Sequence, residues 1–117
     1  MADKGGVAAF AASEQSVAKL AQLFPDAYPV RIPVEVTALR AAGGRGLNEN
    51  TLIEFGTATE ILFTSALPLE FDDRVRVKNS DGSLEADAAV IAVQYHEGRK
   101  AVAARFTAKV GNWIIKR

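Results

Sequence analysis

Few residue patterns in this 117-residue chain indicate enzyme chemistry. Its single histidine, His96, stands in a polar stretch before Gly98, and no G-x-S-x-G elbow is present to supply a serine nucleophile. Cysteine is absent, which excludes a disulfide scaffold, a zinc ribbon and a thiol nucleophile. The carboxylates, including the neighbouring Asp72 and Asp73, do not have the spacing of metal ligands. We therefore expect no catalytic residues, no metal site and no cofactor.

Two further features of the sequence have both a functional and a purely structural interpretation. Arg74, Arg76 and Lys78 alternate along a predicted strand, which places three cations on one face within about 14 Å. Such a row either binds a phosphate or an acidic partner, or is simply the solvated face of a strand. The stretch Gly43-Gly44-Arg45-Gly46 lacks the pattern of a phosphate-binding loop and is interpreted as the loop of a hairpin.

The composition of the chain indicates its number of domains and the classes of partner that it excludes. The 49% of hydrophobic residues suffices for the core of one domain, and a second domain has no room. Fourteen basic residues balance fourteen acidic ones, which argues against a dedicated nucleic-acid binder because such proteins need a basic face. The chain has no run of about 18 or more apolar residues and no basic leader before an apolar stretch, so we expect a soluble, cytoplasmic protein without a membrane span.

The N-terminal part of the chain contains one predicted helix. Residues 1–12 are rich in alanine and glycine and are interpreted as a flexible lead. A helix is predicted over residues 13–24, because Ser13 is a suitable N-cap and Pro25 cannot continue the helix. Its apolar stripe contains Val17, Leu20 and Phe24. A helix this short needs tertiary contacts, and it docks either on its own domain or in the groove of a partner.

After Pro29 the apolar residues alternate with polar ones, which predicts strands. Six short strands with hairpin-length connections, one of them the Asp81-Gly82 turn, predict a mainly β fold. The predicted fold is a small six-stranded antiparallel barrel with a short N-terminal helix, forming a single domain over residues 13–117; a sandwich is the alternative. Trp113 and the tail around it are expected to pack on this barrel. The predicted core consists of Ile32, Val34, Ile53, Phe55, Phe63, Val75, Val77, Val90 and Phe106.

Three stretches of the sequence resemble the PilZ domain family, a family of bacterial six-stranded barrels whose well-known members bind the second messenger cyclic di-GMP. The first is similar to the start of the family's first strand, the second to its "plxxGd" turn between two strands, and the third to its closing hairpin. These stretches are Arg31-Ile32-Pro33-Val34, then Ile61 to Ser65 with Leu67-Pro68-Leu69 and Asp73-Arg74-Val75, and finally Ala88 to Val93 with Val102 to Phe106.

The resemblance implies where a nucleotide would bind. The family uses an R-x-x-x-R before the barrel and a D/N-x-S-x-x-G on it, since a planar guanidinium both pairs with phosphate and stacks on guanine. In this chain Arg31 matches the second arginine, whereas Ala27 stands at the first. Thr57 alone keeps the hydroxyl of the second motif, and Phe55 and Glu60 replace its acceptor and its glycine. The predicted ligand-binding residues are therefore Arg31 and Thr57, with lost or weak binding of cyclic di-GMP.

These observations lead to one favoured function and two alternatives. The favoured one is a PilZ-like signalling or adaptor domain that acts by contact with a protein partner through Val17, Leu20 and Phe24, and that is not an enzyme. The first alternative is a genuine cyclic di-GMP receptor in which Arg40 or Arg45 assists Arg31. The second is a nucleic-acid-binding barrel of the OB or cold-shock type, which would need aromatic residues interleaved with the basic strand residues. The sequence has no such aromatic residues there, so we expect no nucleic-acid partner.

Overall fold

Six antiparallel strands close into a barrel in the computed structural model, which describes residues 17–39, 47–96, 99–110 and 113. The mainly β fold class and the six-stranded barrel predicted from the sequence are confirmed. The order of the strands around the barrel is β1-β2-β3-β6-β5-β4. Their bounds are β1 Tyr28–Ala38, β2 Asn48–Gly56, β3 Glu60–Ser65, β4 Arg74–Asn79, β5 Glu85–His96 and β6 Arg99–Phe106.

The longest strand, β5, pairs with two neighbours over different parts of its length. Residues 85–89 pair with β4, and residues 88–96 pair with β6. Between Val90 and Ala92 the register with β6 shifts, so the pairing has a bulge or a similar irregularity there. The turn from β4 to β5 contains Gly82 at a φ of 78°, the left-handed conformation for which glycine is suited.

The barrel interior contains most of the predicted core. Among the predicted residues, those buried in it are Val34, Ile53, Phe63, Val75, Val77, Val90 and Phe106. Ile32 is only half-buried against this cluster. The prediction for Phe55 is wrong, because the register between β2 and β3 shifts after Ile53 and places Phe55 opposite Leu62. Phe55 is therefore half-buried in a second cluster, on the outer surface of the barrel.

This second cluster lies beneath the helix, α1, which comprises residues 17–21. Val17 and Leu20 pack against Leu62 of β3 and against Ala101 and Ala103 of β6. Residues 61–65 and 100–104 are all buried, since the barrel core covers one face of these strands and α1 contributes to covering the other. The helix thus docks on its own domain, the first of the two alternatives.

The helix ends earlier than predicted. After Ala21 the chain continues in turns, in which the amide N–H groups of Leu23 and Phe24 donate to the carbonyls three residues before them, at 3.0 and 2.8 Å. This tighter pattern is usual at helix ends, and Pro25 disfavours a helical Phe24. The predicted start of the helix at residues 13–16 and the lead at residues 1–12 lie outside the described residues.

Trp113 closes one end of the barrel, as expected from its apolar character. Its ring meets that of Phe106 edge to face, with 5.6 Å between centroids, and its Nε1 donates a hydrogen bond to the carbonyl of Thr57 at 3.0 Å. The indole also lies against Gly56, where an added Cβ would come within 2.7 Å of Cζ2. Trp113 thereby contacts both the end of β2 and the turn that follows it.

Candidate functional site

Arg31 lies in a surface groove of about 490 Å³ between α1 and the start of β1. The groove forms where the register of β1 on β2 shifts between Pro29 and Ile32. Its walls are largely apolar and include Pro29 and Phe55, whereas Arg31 and Glu54 supply one charge of each sign. The side chain of Arg31 is exposed, as a ligand-binding arginine must be. The opposite charge of Glu54 makes the groove less favourable to a dianionic ligand than an arginine alone would be.

The hydroxyl of Thr57, the other predicted ligand-binding residue, makes its hydrogen bonds within its own turn. Its Oγ1 accepts hydrogen bonds from the amides of Thr59 and Glu60, at 3.0 and 2.9 Å, and donates to Oε1 of Glu60 at 2.8 Å. One donor and two acceptor positions are the full capacity of a hydroxyl. Thr57 is not among the residues that line the Arg31 groove, so the structure does not bring the two predicted residues together in one site.

Glu60 is held in place from two sides. Besides the bond from Thr57, its Oε2 accepts from Nε and Nη2 of Arg105 on β6, at 3.1 and 2.7 Å. The Glu60 side chain is only 13% exposed, so this ion pair is partly shielded from water. Where the family motif has a glycine, this chain therefore has a fixed carboxylate between a hydroxyl and a guanidinium.

The predicted interaction surface on the helix faces the barrel. Val17 and Leu20 are 0% and 2% exposed, and Phe24 is half-buried against the same outer cluster. A partner that binds these side chains would have to lift α1 off β3 and β6.

The row of cations on β4 is interspersed with acids on the neighbouring strands. Arg76 pairs with Asp87 of β5, with 2.8 Å between Nε and Oδ1. The hydrogen bond to Asp87, and then the charge of that carboxylate, raise the pKa of Arg76 above its ordinary value. Lys78 stands in register with Glu35 of β1 on one side and Glu85 of β5 on the other. This arrangement is typical of a solvated strand face with complementary charges.

A polar network at the opposite end of the barrel is not predicted from the sequence. Oε1 of Glu49 accepts from the hydroxyl of Ser65 at 2.7 Å, Oε2 accepts from the amide of Ala66 at 3.0 Å, and Nη2 of Arg99 lies 3.6 Å from Oε2. The hydroxyl of Thr51 donates to the carbonyl of Thr64 at 2.7 Å. The backbone of β2 pairs with β3 only from Ile53 onward. Before that point these side-chain hydrogen bonds connect the two strands in place of the backbone ladder. The run of four polar residues that opens β2, Asn48 to Thr51, is the signal for it in the sequence.

Within the described ranges, no group of three or more histidine, cysteine, aspartate or glutamate side chains is arranged to hold a metal ion. None of the helical segments described is long and apolar enough to cross a membrane. Arg40 and Arg45, the candidate helpers of Arg31, lie outside the described residues, as does the side chain of His96.

No known protein family and no curated protein matches this chain. The likeness to PilZ domains therefore rests on the motifs quoted from the sequence.

Proposed function

We propose that this chain is a PilZ-like signalling or adaptor domain that acts by contact with another protein and binds cyclic di-GMP weakly or not at all. The barrel supports this proposal, because the three stretches that resemble the family fall on its strands in the family's order. The main observation in its support lies at the position of the family's second ligand motif. There Glu60 is bonded to both Thr57 and Arg105.

This arrangement opposes a dianionic nucleotide in two ways. The Thr57 hydroxyl already makes its full set of hydrogen bonds, so a phosphate contact would require it to give up a bond within its turn. The Glu60 carboxylate adds a negative charge where the motif has no side chain. With Ala27 in place of the first arginine, one bidentate contact is also missing, and together these changes weaken binding by about three orders of magnitude.

The turn before β4 supports the likeness itself. In the family's "plxxGd" pattern, Pro68 and Leu69 are matched directly, and Asp72 stands in the place of the glycine. Asp72 adopts a φ of 74°, a conformation that glycine reaches without strain and that other residues rarely adopt. The backbone at this position thus has the shape for which the family's glycine is suited.

A genuine cyclic di-GMP receptor is the second candidate function, and the exposed Arg31 in its groove favours it. An apolar wall that includes Phe55 and Pro29 offers a surface on which a base stacks, and the guanidinium offers a phosphate contact.

Calorimetric titration of the purified protein with cyclic di-GMP separates the two functions. We expect no measurable heat, or a dissociation constant well above about 10 μM. Arg31→Ala is the test variant, and Arg74→Ala, which removes an exposed arginine outside the groove, is the matched control. A constant below about 10 μM that Arg31→Ala abolishes and Arg74→Ala preserves would replace the first function with the second.

A further inference from the structure

Phe71 is the most exposed large apolar side chain in the described part of the protein, with 71% of its surface accessible. It lies in the connection between β3 and β4, which runs past β6 and β5. Nζ of Lys100 donates to the carbonyl of Leu67 at 2.8 Å, and the amide of Asp72 donates to the carbonyl of Val90 at 2.7 Å. A single exposed apolar side chain is ordinary on a protein surface, so the case for a function depends on what lies beside Phe71.

The exposure of Phe71 is fixed by the backbone around it. The amide of Glu70 donates to Oδ2 of Asp73 at 2.9 Å, and the amide of Asp73 donates to the carbonyl of Glu70 at 3.0 Å. Leu69 is 1% exposed and anchors the connection in the barrel core. Asp72 holds the left-handed conformation directly after Phe71. Backbone strain of this kind is concentrated at functional positions, where surrounding bonds maintain it.

A second aromatic side chain lies beside this turn. Tyr95 is 64% exposed, and its hydroxyl lies 3.4 Å from Oε2 of Glu70, the residue before Phe71. Nζ of Lys100 lies 5.2 Å from the centre of the Tyr95 ring, which holds the ring from one side. Glu70 and Asp72, which flank Phe71 in the chain, are exposed residues. Through its contact with Glu70, the exposed Tyr95 therefore lies beside the turn that carries the exposed Phe71.

We propose that this aromatic and acidic surface, formed by Phe71, Tyr95, Glu70 and Asp72, binds a partner segment that carries arginine or lysine beside an apolar residue. Exposed aromatic side chains on a rigid support are the usual anchors of protein contacts. A guanidinium or ammonium is attracted both by the face of an aromatic ring and by a carboxylate, so a basic and apolar segment suits Phe71, Glu70 and Asp72, whereas Nζ of Lys100 already lies against the ring of Tyr95. This inference rests on the proposed function in protein contact and gives it a location.

Nuclear magnetic resonance of the ¹⁵N-labelled full chain tests the proposal with two short synthetic peptides. One alternates arginine with leucine, and the other has glutamate in place of arginine. We expect the arginine peptide to shift the amide resonances of residues 69–73 and 94–95, and the glutamate peptide to leave them unchanged. Phe71→Ala should weaken the binding by about tenfold or more without changing the melting temperature. Leu23→Ala, which truncates an equally exposed side chain elsewhere, should leave the binding unchanged.

Three outcomes would overturn this surface. They are an arginine peptide that shifts no resonance of these residues, equal binding of the two peptides, and a Phe71→Ala variant that binds as the natural protein does. In the first case, shifts confined to the Arg31 groove or to the α1 boundary would leave a function in protein contact in place. Tight binding of cyclic di-GMP in the calorimetric titration would count against the proposed function and not against this surface.

Discussion

The indole of Trp113 lies so close to Gly56 that it leaves no room for a side chain at this position. Gly56→Ala should lower the free energy of unfolding by about 1–3 kcal/mol, because the added methyl group overlaps the indole. Thermal denaturation checks the loss, and a Trp113→Ala background is the control. In that background, which lacks the indole, the same change should cost little. An equal loss in both backgrounds would show that the indole is not the obstacle.

Substitutions at Asp72 and Gly82 should change the stability of the protein in opposite directions. Both have a positive φ, 74° and 78°, but only Gly82 is suited to it. Asp72→Gly should raise the stability by about 0.5–1 kcal/mol, since it relieves the strain. Gly82→Ala should lower it by about 1–2 kcal/mol through backbone strain alone, because the space around Gly82 is open. A lower melting temperature for Asp72→Gly would refute this account of the turn.

At the scale of single residues, part of the candidate site could be predicted. Arg31 is an exposed residue of β1, as a polar position in an alternating pattern predicts. The hydrogen bond of Thr57 within its own turn could also be predicted, because a threonine and a glutamate three residues apart, here Thr57 and Glu60, often bond within one turn. The pairing of Glu60 with Arg105 could not be predicted, since it joins positions 45 residues apart through the pairing of β3 with β6.

At the scale of elements, the helix shows how far a periodic pattern determines packing. The spacing of Val17 and Leu20 predicts an apolar stripe but does not identify the surface that covers it. That surface is the outer face of β3 and β6, where Leu62 and Ala103 complete strands that are buried on both sides. Unbroken apolar runs, rather than alternating ones, were the available signal for it.

The docking of α1 leads to a matched pair of substitutions. Leu20→Asp should lower the melting temperature by several degrees, because it places a charge at a buried contact worth roughly 1.5–3 kcal/mol. Leu23→Asp alters a side chain that is 69% exposed shortly after the helix, and the melting temperature should hardly change. The double variant Leu20→Asp and Phe24→Asp should melt lower still. If Leu20→Asp melts like the natural protein, the helix contributes nothing to the stability of the barrel.

At the scale of the whole molecule, the closure of the barrel depends on pairs that local patterns do not reveal. Alternation predicts the number of strands and the face that each one buries, and both are found with local exceptions. The pairing of β3 with β6 and of β1 with β4 joins strands that are distant in the chain. The register shifts at Phe55 and near Arg31 are properties of paired strands and not of one strand's pattern, so the groove could not be predicted from the sequence.

The barrel should not be equally stable around its circumference. In β3 and β6 the amides of Leu62, Phe63 and Val102 lie in a paired ladder with both faces buried, so they should exchange hydrogen only when the whole domain unfolds. Residues 48–52 of β2 pair with β1 alone, and side chains replace the ladder on their other side. Amides there that point away from β1 should exchange faster by at least about two orders of magnitude. Hydrogen exchange followed by nuclear magnetic resonance measures both sets in one sample. Equal rates for the two sets would mean that the Glu49 and Thr51 bonds close the barrel as firmly as a backbone ladder does.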